Sequence, residues 1–314
     1  MKELRIVFMG TPDFAVGILD TMYKNNYNVV AVVTAADKPA GRGQKIKYSA
    51  VKEYALANNL PLLQPTNLKD PAFLEELKAY EANLQVVVAF RMLPEAVWKM
   101  PELGTFNLHA SLLPDYRGAA PINWAIMNGE TKTGVTTFFI DEKIDTGAII
   151  LKEETVIDPD ENVGELHDKL MHLGGDAVLK TLALIAKGNV NTITQPIEET
   201  KTAYKLNKDN CKIDFSKTVQ EIHNHIRGLS PYPAAWCTLI NNNIESSIKI
   251  YNSNYNTDNH NLAIGTIVLE GKMLKVAVKN GFLIINSLQL PGKKQMNIKD
   301  LLNGYAFHSD SKMI

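Results

Sequence analysis

The chain has 314 residues, 45% of them hydrophobic and 21% charged, with a formal net charge of −1. That length predicts two domains in an ordinary globular protein. No apolar run approaches the roughly 20 residues needed to span a membrane. Cys211 and Cys237 are the only cysteines and have no CxxC spacing, so neither a disulfide framework nor a zinc site is indicated.

MKELRIVFMG goes straight into strand-like sequence without signal character, and the expected location is cytoplasmic and reducing. Leu4–Met9 is a short apolar run, Thr11-Pro12-Asp13 a turn with a helix-start signature, and Phe14–Lys24 has helical apolar spacing. Asn28–Thr34 is a β-branched run, and helices are expected over Ser49–Asn58 and Pro71–Tyr80. Leu84–Phe90, with Val86-Val87-Val88, reads as a strand buried on both faces, as parallel sheets require. Gly104–His109 supplies another strand and Ala119–Asn128 another helix. Val135–Ile140 and Ile149–Val156 are further strands, and 162–186 is helical, ending near Gly188. This alternation predicts an α/β class with a doubly wound, mostly parallel sheet.

Residues 188–208 lose all periodicity and read as a surface linker. A helix over Val219–Arg227 and the turn-rich Gly228–Pro233 follow. Short strands are then expected over Ala235–Ile240, Ser247–Tyr251, Leu262–Val268, Met273–Val278 and Phe282–Leu288, spaced as in a small β-barrel. Of the 33 basic and 34 acidic residues, 12 and 8 fall in 207–314, so this part carries +4 and the remainder −5. A basic C-terminal third points to a polyanionic partner, although an imbalance this small also arises by chance.

The chain has neither GxGxxG nor GxxxxGK[ST], which weighs against dehydrogenase and NTPase chemistry. The polar residues Asn107, His109 and Asp145 instead fall at strand ends, where doubly wound sheets take ligands. An amide can donate to a developing oxyanion, and an imidazole can act as general acid or base. An Asp on an adjacent strand can orient the His and set its charge. The same three residues could equally be a polar cluster that satisfies loop hydrogen bonds, and chemistry alone leaves both readings open. The remaining histidines, His167, His172, His223, His225, His260 and His308, lack a ligand spacing and are assigned to no metal. Trp98, Trp124 and Trp236 read as packing aromatics.

Asn107-x-His109-x-Ser111-Leu112-Leu113-Pro114, then Tyr116-Arg117-Gly118-Ala119 and Asp141-x-x-x-Asp145-Thr146-Gly147, resemble the signature of the 10-formyltetrahydrofolate-using formyltransferases. Met9–Ala15, Asp37–Gly43, Arg227–Trp236 and Leu290–Met296 are similar to motifs of the methionyl-tRNA formyltransferases within that superfamily. Together the motifs extend over essentially the whole chain, and the joint match is far more specific than any one of them. One departure is Ala89-Phe90-Arg91-Met92-Leu93-Pro94, where the family reads AYGLILP; Arg91 is expected to alter the rim of the folate site, not its chemistry.

The resemblance implies a Rossmann-like catalytic domain over 1–187, a linker over 188–206 and an OB-like β-barrel domain over 207–314. It implies formyl transfer from 10-formyltetrahydrofolate to initiator methionyl-tRNA by a monomer, without a metal. Asn107, His109 and Asp145 become the catalytic set. Phe90, Arg91, Met92, Leu93, Ser111, Leu112, Leu113, Pro114, Asp141 and Ile144 become the folate-binding set. Lys38, Arg42, Lys45 and Lys47 in the loop 34–48, with Lys293 and Lys294, become tRNA contacts. Such a loop suits tracking phosphates at a duplex end, and its alternative is a solvated, mobile surface loop. The nearest rival activity is hydrolysis of 10-formyltetrahydrofolate, which Ile122-Asn123-Trp124 echoes. A nucleotide-sugar formyltransferase and a catalytically silent RNA-binding protein are the remaining alternatives.

Overall fold

The computed structural model describes residues 2–40, 45–196 and 201–314. Apolar and β-branched runs form the strands, and runs with helical spacing form the helices. In chain order these are β1 (Arg5–Gly10), α1 (Asp13–Lys24), β2 (Asn28–Val33), β3 (Lys38–Ala40), β4 (Lys45–Lys47), α2 (Ala50–Ala57) and β5 (Leu62–Leu63). Next come α3 (Pro71–Ala79), β6 (Leu84–Val88), α4 (Glu95–Trp98), β7 (Thr105–His109), β8 (Arg117–Gly118) and α5 (Pro121–Met127). β9 (Lys132–Phe139), β10 (Ile149–Val156), α6 (Val163–Lys187) and β11 (Thr202–Ala203) follow. The last elements are α7 (Val219–Leu229), β12 (Ala235–Asn241), β13 (Ile244–Asn256), β14 (Ile267–Glu270), β15 (Met273–Val278), β16 (Gly281–Gln289), β17 (Met296–Asn297), α8 (Ile298–Leu301) and β18 (Lys312–Met313). They group into two compact units: Met1–Gly118 with Thr133–Thr155 and His167–Thr202, and Ala119–Lys132 with Val156–Leu166 and Ala203–Ile314.

The first unit is built on a seven-stranded sheet of order β10-β9-β7-β6-β1-β2-β5. β1 pairs in parallel with β2 and β6, β6 with β7, and β2 with β5, while β9 runs antiparallel to β7. Connectivity reverses between β2 and β6 on either side of β1, which makes the switch point at which such sheets open a crevice beyond their carboxyl ends. On one face Val7, Met9, Ala31, Val33 and Val87 pack with Phe73 and Leu77 of α3 and Val97 of α4. On the other face lies α6, close enough that a Cβ on Gly174 would stand 2.8 Å from Leu108 Cδ2 of β7. All five residues of β6 are buried, apolar except for Gln85, whose Oε1 accepts from Thr105 Oγ1 at 3.0 Å.

In the second unit α7 starts at a capping box, with Glu221 N donating to Thr218 Oγ1 and Thr218 N to Glu221 Oε2. Its apolar face, Ile222, Ile226 and Leu229, joins Cys237, Leu239, Ile248, Ile250, Leu274, Val276, Leu283 and Ile285 in one core. The antiparallel sheet has the order β14-β15-β16-β13-β12-β18. Its two edges meet: β18 pairs with β12, and Met313 N donates to the Gly265 carbonyl at 2.9 Å. A side chain at Gly265 would place its Cβ 2.2 Å from the Met313 carbonyl oxygen, and φ there is +85°, so this closure needs glycine.

Three expectations change. The strand expected from Leu262 begins only at Ile267, because Gly265 breaks the extended run while Leu262 and Ile264 lie exposed. The basic loop 34–48 contains an antiparallel hairpin, β3 with β4. Its base is fixed by Asp37, which accepts from Lys52 Nζ at 2.5 Å and Gln64 Nε2 at 2.8 Å; both hydrogen bonds hold its carboxyl below the usual range. The aperiodic stretch after Gly188 is not all surface: Gln195 is buried, and the exposed Ile193 is tied by a backbone bridge to Ile149.

Candidate active site

Successive strand residues point to opposite faces, so Asn107 and His109 share one face of β7 at its carboxyl end. Asn107 lies in register with Val87 of β6 and Phe138 of β9, half-buried, and its carboxamide has no hydrogen-bond partner among the described residues. His109 is 7% exposed and sits opposite Thr136. Its Nε2 lies 2.8 Å from the Tyr116 carbonyl oxygen. A carbonyl only accepts, so Nε2 carries the hydrogen and Nδ1 is the nitrogen left for chemistry.

Nδ1 faces Asp145 Oδ2 at 3.8 Å. The same carboxylate oxygen accepts from Gly118 N at 3.0 Å. Asp145 has φ +55° and Tyr116 has φ +61°, a left-handed conformation that residues with a Cβ hold only when their surroundings impose it. Two residues on, Gly147 is compulsory, since a Cβ there would fall 1.6 Å from the Phe139 carbonyl oxygen. Spacing alone therefore brings together Asn107 and His109, and folding adds Asp145.

The residues expected to hold folate divide by role. Ser111 is buried, with its hydroxyl donating to the Asp115 carbonyl at 2.6 Å, while its own carbonyl accepts from Thr136 Oγ1 at 2.6 Å. Leu113 is fully buried with Phe138 and Ile149, and its N–H donates to Thr136 Oγ1 at 3.1 Å. Leu112 and Pro114 are half-buried between them. Asp141 accepts from Lys143 N at 3.0 Å and Thr146 Oγ1 at 2.7 Å, so its carboxylate closes its own turn. Leu93 is buried in the apolar core and Phe90 packs partly buried against it. Met92 and Ile144 are 67% and 61% exposed, apolar groups on the loops after β6 and β9. The Arg91 guanidinium donates to the backbone carbonyls of Thr66, at 3.0 Å, and Pro65.

Among the expected tRNA contacts, Lys38 and Lys47 are exposed cross-strand partners in the hairpin. Arg42 and the side chain of Lys45 lie outside the described residues. Lys293 and Lys294 are exposed in the turn after β16, where Gly292 has φ +70°. Sequence reasoning gave no role to Gln195, which hydrogen-bonds Arg117 and the turn carrying Asp145. Gln195 lies in an aperiodic stretch and offers no signal. No group of three or more His, Cys, Asp or Glu placed to hold a metal occurs among the described residues.

Residues 4–182 match the family described as Formyl transferase, and residues 205–306 match its C-terminal domain. The chain belongs to the formyl transferase family. A methionyl-tRNA formyltransferase of Flavobacterium johnsoniae is 67% identical over 314 residues, covering 100% of each chain. One from Bacteroides thetaiotaomicron is 53% identical over 318 residues, covering 99% of each. Among solved structures, the sugar 3N-formyl transferase WlaRD, crystallised in the presence of dTDP and 5-N-formyl-THF, is similar with a TM-score of 0.65 at 25% identity. That match covers 94% of this chain and 100% of WlaRD. HypX from Aquifex aeolicus in complex with tetrahydrofolic acid shares the fold, with a TM-score of 0.65 at 15% identity over 96% of this chain and 47% of HypX. Within this formyl transferase, no described helix is long and apolar enough to cross a membrane.

Proposed function

We propose that this formyl transferase moves the formyl group of 10-formyltetrahydrofolate to the α-amino group of initiator methionyl-tRNA, giving N-formylmethionyl-tRNA for translation initiation. The observation that carries the chemistry is the His109–Asp145 pair at 3.8 Å, on the strand that also presents the unpartnered Asn107 carboxamide. A spare amide donor beside a buried acid–base pair fits an acyl group that gains negative charge on oxygen. The exposed Met92 and Ile144 fit the flat apolar rings of a folate, with loop backbone supplying the polar contacts. When bound, the folate supplies a formyl group already activated on nitrogen.

Asn107 Nδ2 donates to the formyl oxygen as charge develops there, a contact of the kind worth about 3–4 kcal/mol. A proton on His109 Nδ1 turns its approach to Asp145 from the meeting of two acceptors into an ion pair, and this charge faces the same oxygen. Asp145 orients the ring and helps move the proton released by the attacking amine to the folate nitrogen N10, which takes it up as its bond to the formyl carbon breaks. Tyr116 O holds the other ring nitrogen, so the imidazole cannot turn away.

The hairpin suits the acceptor stem. Lys38 stands directly opposite Lys47, a like-charge pair that costs stability unless an anion bridges it, as a tRNA phosphate does. Arg42, Lys45, Lys293 and Lys294 complete the proposed contacts. The domain limits 1–187, 188–206 and 207–314, a monomeric state and a cytoplasmic location belong to this proposal; two buried free thiols support a reducing compartment. Hydrolysis of the folate is not favoured, because relatives similar over the full length carry the transferase name. The deciding experiment follows labelled formyl from 10-formyltetrahydrofolate with and without methionyl-tRNA. Label is expected on the aminoacyl-tRNA, and release as formate at the same rate without tRNA would sink the proposal.

A further inference from the structure

Gln195 is 6% exposed, in a stretch without regular secondary structure, and four contacts engage its carboxamide. Nε2 donates to the backbone carbonyls of Asp145 at 3.0 Å and Gly147 at 2.8 Å. Oε1 accepts from Arg117 Nη2 at 2.7 Å and Nε at 3.2 Å. Arg117 also donates to the Pro196 carbonyl at 3.2 Å, which anchors the guanidinium to the same stretch of chain.

The placement matters because of what each partner does. Asp145 holds a left-handed backbone at φ +55°, which its surroundings must select over extended alternatives. Two N–H bonds to the carbonyls of residues 145 and 147 select it. Arg117 precedes Gly118, whose N–H donates to the Asp145 carboxylate at 3.0 Å. One amide therefore ties the backbone that carries the carboxylate to the strand that hydrogen-bonds it.

We propose that Gln195 is a positioning residue for formyl transfer, fixing the Asp145 carboxylate against His109 Nδ1 by clamping the 145–147 turn to Arg117. The proposal rests on the reading of Asp145 as a member of the catalytic set. A carboxylate cannot replace the amide. Glutamate would still accept from Arg117, but it has no N–H for the two carbonyls and would set its charge against them.

The test measures formyl transfer to methionyl-tRNA by Gln195→Ala, Gln195→Glu, Asp145→Asn and the double variant Gln195→Ala/Asp145→Asn. Thermal midpoint and Kd for 10-formyltetrahydrofolate are recorded for each. Gln195→Ala is expected to lose about 10- to 100-fold in kcat, since a misplacement of about 1 Å can cost about 10²-fold. Its folate Kd should stay close to that of the parent, and Gln195→Glu should not recover the loss. The double variant should be no slower than Asp145→Asn, because both changes act through one carboxylate. Parent-like kcat in Gln195→Ala, recovery in Gln195→Glu, or losses that multiply in the double variant would each overturn the proposal. Parent-like kcat in Asp145→Asn would instead overturn the catalytic reading beneath it, and shows itself without any change at Gln195. Should Gln195→Ala not fold, Gln195→Glu and its double with Asp145→Asn decide the same question.

Discussion

At His109 the anchoring of Nε2 on the Tyr116 carbonyl leaves a single nitrogen for chemistry, and Asp145 faces that nitrogen. Asn107→Ala and His109→Ala are each expected to lower kcat by about 10²–10³-fold, the loss typical of one oxyanion donor. Their Kd for the folate should change little, because on the proposed mechanism both groups act on charge that appears only during transfer. Single-turnover rates set beside equilibrium folate binding check this; a weakened Kd with kcat intact would make the pair a binding element instead. Asp145→Asn keeps a side-chain oxygen for Gly118 N but removes the charge opposite Nδ1, and a comparable loss is expected. The period of a strand made Asn107 and His109 legible as neighbours. Asp145 was legible as a strand-end carboxylate, but its pairing with His109 was not, because no local pattern says which loop returns to β7. Gln195 had no pattern at all: four partners distant in sequence define it, and only the folded chain brings them together.

Among the elements, β1, α1, β6 and α6 were read within a residue or two, whereas β13, expected over Ser247–Tyr251, runs from Ile244 to Asn256. Short pieces such as β5, α4 and the hairpin β3–β4 escaped, since a strand of two or three residues has no period to detect. Helix α7 carries a consequence for stability. Burial pushes the His223 and His225 imidazoles below their ordinary value; Arg227 lowers His223 further, and Asp160 opposes the shift. Both bind their protons more readily in the unfolded chain. Their contribution is therefore complete above about pH 6.5 and is lost as pH falls from there through the lower folded values. Urea midpoints measured from pH 8 to pH 5 should fall over the acid half of that range, and His225→Gln should flatten the fall. A midpoint independent of pH would show that neither ring is held neutral. The hairpin gives a second expectation at this scale. Arg42→Ala should weaken methionyl-tRNA binding while leaving folate binding unchanged, and an equal loss for both ligands would move Arg42 into the folate pocket.

For the molecule as a whole, several of the lysines gather in one groove of the second unit. Within the second unit a groove of about 580 Å³ is lined by Lys205, Lys208 and Lys249 beside Trp236 and Tyr232. Lys208 Nζ lies 5.2 Å from the Trp236 ring and Lys212 Nζ 5.6 Å from it, so the cations are gathered around one aromatic side chain. Cutting the chain at residue 206 is a poor way to test this surface. That cut would strip α5 of α7, to which it is tied by Asn123 Nδ2 donating to the Gly228 carbonyl at 2.8 Å, and leave α5 exposed. Neutralising the groove in the full chain avoids the problem. Lys205→Gln, Lys208→Gln and Lys249→Gln are all exposed changes and should leave the fold and folate binding intact. If the three lysines meet phosphates, the triple variant should bind methionyl-tRNA more weakly at low salt and converge with the parent as salt rises. The slope of log K against log salt should shrink by roughly one unit for each phosphate contact removed. Formylation at saturating tRNA should keep its kcat, because none of these lysines belongs to the proposed catalytic set. An unchanged slope would leave the groove without a role in holding tRNA, and the hairpin with Lys293 and Lys294 would have to supply the electrostatic contact alone.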